Sequence, residues 1–153
     1  EAFEGTGCKV LAEYDEGAWR AGVKAAGVLN YCDEVMVHPY GGNRDRAVSA
    51  QGNRAKVLDA HRDSGKMVAV TEVGWPTATH AASTADSFQW TEGEQAANIR
   101  SWCRWVRENP TVVSLSVLFC CYDYDSSMWY GIRSQTDRVK PGQAALAEFA
   151  GSP

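Results

Sequence analysis

Four segments of this sequence end in side chains that can bind or transform a polar ligand. Glu13, Tyr14 and Asp15 close the first, and His38 and Tyr40 the second. Glu72 and Trp75 close the third, and Tyr122, Asp123, Tyr124 and Asp125 the fourth. Carboxylates act as acid, base or nucleophile, and aromatic faces stack on the apolar faces of sugar rings. The sharpest segment is Thr71-Glu72-Val73-Gly74-Trp75-Pro76. A glutamate at the end of an apolar run is costly to bury unless it is paired. The plain reading is a structural carboxylate paired with an arginine such as Arg133. His38 alone would read as an ordinary core histidine, and Glu13 as a solvated rim residue. His61 and His80 read as surface residues. No metal or cofactor is expected.

Strand-like and helix-like stretches alternate around these residues. The apolar runs are 9–14, 34–40, 66–72 and 112–122. Between them, 17–30 carries Trp19, Val23, Ala26 and Leu29 near helical spacing, and a second helix is expected around 47–64. Thr91-Glu92-Gly93-Glu94 reads as a capping box that opens a third helix. That helix places Ala96, Ile99, Cys103 and Val106 on one face, and Asn109-Pro110 ends it. A last short helix is expected over 143–150. Residues 77–90 read as a long loop, and Trp19, Trp90, Trp102 and Trp105 as packing residues. Alternating strand and helix predicts a parallel sheet with helices outside it. In such folds functional groups gather at the C-terminal ends of the strands, where all four sets above lie.

The chain has 153 residues, the size of one domain, and no internal boundary is visible. A net charge of -4 with scattered basic residues gives no reason to expect nucleic acid or an anionic membrane as partner. No apolar stretch reaches the ~18 residues of a membrane span. The first residues lack a basic region followed by an apolar one, so no leader is read there, and both a removed leader and an excised piece fit. The five cysteines contain no C-x-x-C pair, which argues against a zinc ribbon. They are expected to be mostly reduced and buried. The compartment stays open, with secretion or an extracellular particle among the settings that fit.

The third segment, 71–76, resembles the seventh-strand nucleophile motif of the retaining (β/α)8-barrel glycoside hydrolases. That clan includes β-xylosidases, endo-β-1,3-glucanases and cellulases. Val35-Met36-Val37-His38-Pro39-Tyr40-Gly41-Gly42 is similar to the sixth strand of those enzymes, where a His and a Tyr line the sugar subsite. Leu118-Phe119-Cys120-Cys121-Tyr122-Asp123 stands where the eighth strand would be. Tyr130-Gly131-Ile132 through Lys140-Pro141 matches the closing segment. The resemblance covers almost the whole chain and implies four consecutive βα units of a TIM barrel, equivalent to strands five to eight. A complete barrel needs ~250 residues, so this is a half barrel in one domain, 1–153.

The resemblance implies Glu72 as catalytic nucleophile and His38, Tyr40, Trp75 and Tyr122 as substrate-binding residues on a β-glycan. It implies a covalent glycosyl-enzyme and a second carboxyl ~5–5.5 Å from the first. The family carries that acid/base in an Asn-Glu pair on its fourth strand, and no Asn-Glu pair occurs in this sequence. Glu13 is the candidate substitute. Where the family usually has a Trp or other large group on the eighth strand, Cys120 and Cys121 stand nearby. Half a barrel leaves two bare sheet edges, which implies a second half-barrel chain or a homo-oligomer as partner. The competing reading is a non-catalytic glycan-binding or assembly module derived from such an enzyme. A nucleotide-binding domain is disfavoured, since no G-x-G-x-x-G or Walker sequence is present.

Overall fold

The computed structural model describes residues 8–40, 49–77, 90–123 and 130–150. The element order is β1 (Leu11–Glu13), α1 (Ala18–Ala25), β2 (Glu34–Val37), α2 (Ser49–Ser64), β3 (Val68–Val73), α3 (Glu92–Glu108), β4 (Val113–Leu118) and α4 (Pro141–Ala147). The strands form one four-stranded sheet in the order β1-β2-β3-β4, with every pairing parallel. α1, α2 and α3 connect successive strands on the face of the sheet that carries the core, and α4 packs against α3.

Each expected element forms, and the differences lie at the ends. The first helix stops at Ala25 because Gly27 adopts a left-handed conformation, φ 68, and a single 3-10 turn (Val28–Asn30) follows. The last helix starts at Pro141, a residue whose fixed φ suits the first helical turn, and ends at Ala147. The capping box on α3 has both arms. Thr91 Oγ1 accepts from the Glu94 amide at 3.2 Å, and Glu94 Oε2 accepts from the Thr91 amide at 2.7 Å.

Strand alternation divides the sheet into two faces. Ala12, Val35, Val37, Val68 and Val70 point to the helices and are buried with Val57, Ile99 and Trp102 in one core. Trp102 is the centre of the α3 face, its indole donating to Ser116 Oγ at 2.9 Å, while Cys103 and Val106 are partly buried beside it. The opposite face carries Leu11, Glu13, Glu34, Met36, Ala69 and Leu115. There Leu11 is 37% exposed, Leu115 49% and Val117 43%. At its lower end Glu34 bonds both Lys9 and Ser114, tying the first strand to the fourth.

Buried cysteines were expected, but only Cys32 is buried; Cys103 and Cys120 are partly covered, and Cys8 and Cys121 are exposed. Trp19 also departs from its expected packing role. It is 57% exposed, because α1 lies on the edge strand and buries no residue fully.

Candidate active site at the strand ends

Glu72 reaches the rim through a local irregularity in β3. Val70 pairs with Ser116, and Val73 pairs with Leu118, so three steps of β3 oppose two of β4. Val70 and Val73 therefore both face the helices, Val73 lining a cavity with Trp102 and Leu118. Simple alternation from Val70 would have turned Glu72 to the helices as well. The extra residue turns it to the open face, as bulges do beside functional sites.

There Glu72 Oε2 accepts a hydrogen bond from Tyr40 Oη at 2.9 Å. Burial first, and then this bond, pushes the Tyr40 phenol well above its ordinary value, so it stays a donor throughout the working pH range. Tyr130 braces Tyr40 edge to face, with ring centroids 5.8 Å apart, and Phe119 packs on Tyr130 at 5.8 Å in the same way. Burial raises the Tyr130 phenol too. The chain turns sharply at Gly74. A Cβ there would lie 2.3 Å from the Phe119 carbonyl oxygen and 2.9 Å from the Tyr130 ring.

Two buried polar bolts hold the rim segments together. Lys140 and Asp123 have no exposed side-chain surface. Lys140 Nζ contacts Asp123 Oδ2 at 2.6 Å and Oδ1 at 2.7 Å, and it donates to Thr77 Oγ1 at 2.9 Å. Asp123 Oδ1 also accepts from the Gly131 amide at 3.0 Å. Gln95 on α3 directs its amide nitrogen at the carbonyls of Trp75, Tyr130 and Gly131, at 3.0, 3.1 and 3.2 Å. Asp123, grouped with the rim acids in the sequence, is thus a structural counter-ion.

The remaining expected residues divide. His38 lies half-buried beside Asp15, which accepts from the His38 amide at 2.9 Å and approaches its Nδ1 at 3.2 Å. Glu13 clusters with these two. Tyr122 is exposed at the end of the fourth segment, with the Arg133 guanidinium 5.8 Å from its ring centroid. Arg133 pairs with Asp137 at 2.9 Å, so the ion pair with Glu72 considered above is replaced by the Tyr40 bond. Trp75 is not on the open rim. After the turn at Gly74 it folds over the helix layer against Trp102 and is 2% exposed. Trp19, whose indole donates to the Glu13 carbonyl at 3.2 Å, is an exposed tryptophan among the described residues. His61 Nδ1 lies 2.7 Å from the Lys66 carbonyl and joins the end of α2 to the entry of β3. His80, Tyr124 and Asp125 fall outside the described residues.

Solved structures share this fold. One is an endo-β-1,3-glucanase of family GH128 from Amycolatopsis mediterranei in complex with laminaritriose. It matches with a TM-score of 0.71 and 16% identity over 95% of this chain and 60% of its own. The chain has the fold of part of the barrel in such structures. The Faecalibacterium prausnitzii β-glucuronidase matches with a TM-score of 0.64 and 18% identity over 94% of this chain. A Bifidobacterium dentium β-glucuronidase complexed with coumarin-3-O-glucuronide matches with a TM-score of 0.60 and 18% identity over 80% of it. This chain spans 25% and 21% of those two β-glucuronidases. No protein-family model matches it, and no curated protein matches it in sequence. No helix among the described residues is long and apolar enough to cross a membrane.

Proposed function

We propose that this chain is the nucleophile-bearing part of a retaining β-glycosidase. The observation that carries the reading is Glu72 at the C-terminal rim of a parallel sheet, bonded to Tyr40 at 2.9 Å. In this mechanism Glu72 attacks the anomeric carbon and the leaving oxygen departs, giving a glycosyl ester. Tyr40 holds the carboxylate in place by donating to the oxygen that does not attack. His38 and Tyr122 line the sugar, whereas Trp75 acts as a packing residue beneath the site.

The acid/base comes from a complementary four-stranded half barrel that covers the open face and pairs with β1 and β4. The exposed Leu11, Leu115 and Val117 on that face support this. Glu13, which clusters with Asp15 and His38, is the alternative acid/base. Hydrolysis of aryl β-glucosides and β-glucuronides, with Glu72→Gln abolishing turnover while the fold persists, tests the reading. Light scattering that shows a stable monomer with no tendency to associate counts against the half-barrel partner. A glycan-binding role without turnover is the second reading, favoured by the exposed Trp19 and Tyr122; there Glu72→Gln leaves binding unchanged.

A further inference from the structure

We propose that Glu13, Asp15 and His38 form a site for a divalent cation of the manganese or zinc class. One ligand atom from each residue lies within 4.8 Å of the other two. The residues come from neighbouring strand ends: Glu13 closes β1 opposite Met36, and His38 follows β2 directly. Bonds of ~2.0–2.2 Å to one ion place ligand atoms ~3–4 Å apart, so small side-chain rotations close the set. Asp15 is already oriented, because the His38 amide donates to its Oδ1 at 2.9 Å.

The surroundings favour an ion over a lysine or arginine partner. The cations nearby are engaged elsewhere: Arg20 pairs with Asp59 at 2.5 Å and Lys56 with Glu16 at 3.3 Å. A cavity of about 200 Å³ adjoins Asp15 and His38; Arg20 and Lys56 also line it, and each is paired with a carboxylate, Asp59 and Glu16. That volume holds several waters at ~30 Å³ each, enough to complete a coordination shell. One imidazole with two carboxylates suits a first-row divalent ion, whereas all-oxygen sets suit calcium or magnesium. The site shares His38 with the glycosidase reading but uses neither Glu72 nor Tyr40, so cation binding is read separately from turnover and survives if no glycoside is cleaved.

Titration of the EDTA-treated chain with MnCl2, read by calorimetry and by loss of the free-ion electron paramagnetic resonance signal, tests the proposal. One equivalent of Mn²⁺ is expected to bind, and CaCl2 to bind more weakly. Asp15→Asn and Glu13→Gln are expected to weaken binding at least as much as the ~10–100-fold that outer-sphere partners cost. Both amides are nearly isosteric, and melting curves in EDTA check that the variants are folded. No saturable binding up to ~1 mM, the weak end of specific affinity, would show a local Asp15–His38 contact only and overturn the proposal. Undiminished binding in both variants would overturn it too, by placing the ion elsewhere.

Discussion

Replacing Lys140 by methionine removes the ammonium that Asp123 and Thr77 share and leaves the side-chain volume nearly unchanged. Asp123 then retains the Gly131 amide, at 3.0 Å, as its remaining donor of that cluster, in a place with no exposed side-chain surface. Breaking a buried pair from one side costs ~3–5 kcal/mol. An unfolding entropy of ~2.1 cal/mol/K per residue over this length turns that cost into a Tm lower by ~9–16 °C. Asp123→Asn strands the ammonium instead and is expected to cost a similar amount. The double variant Lys140→Met with Asp123→Leu removes both charges. It is expected to be more stable than either single change implies by addition, with a coupling of ~2 kcal/mol or more. Urea and thermal unfolding of the four proteins measure the cycle. A Lys140→Met loss below ~1 kcal/mol, the range of exposed pairs, would refute the claim that this pair holds the strand ends together. Additive single and double effects would refute it equally.

Gly131→Ala is expected to prevent folding or to cost several kcal/mol, because the new Cβ would meet the backbone of Asp123 at 2.2 Å and Tyr122 at 2.3 Å; circular dichroism and melting check it. Thr91→Ala is expected to cost ~1 kcal/mol through loss of the α3 cap, read in urea unfolding. Hydrogen bonds from Arg138 hold the Glu92 carboxyl below the usual carboxylate range. A depressed carboxyl stabilises the fold above its unfolded value of ~4.3, and that contribution is lost as pH falls through the folded value. Glu92→Gln is therefore expected to be less stable than the parent at neutral pH, with the gap closing below about pH 4.

The strands and their order were legible because each apolar run is local, and the α3 cap because its two partners are three residues apart. Glu72 and Tyr40 were legible as neighbours because they end consecutive runs. The bulge that turns Glu72 to the open face was not, since 66–72 is apolar nearly throughout and shows no alternation to break. The tryptophans exchanged places for a tertiary reason. Trp75 finds Trp102 across the helix layer, while Trp19 sits on an edge helix with nothing outside it. The burial of Lys140 has no local signal in the sequence, because its partner Asp123 is 17 residues away and reaches it only through the fold.

The central claim is that Glu72 is a nucleophile. An activated donor needs no protonation of its leaving group, so the first step proceeds without the acid/base-bearing half. The chain is incubated with dinitrophenyl 2-deoxy-2-fluoro-β-glucoside and with the β-glucuronide analogue, then digested and mass-mapped. The account predicts one glycosyl adduct on the peptide that contains Glu72 and none in Glu72→Gln. A chain that stays unmodified, or an adduct on another residue, contradicts it.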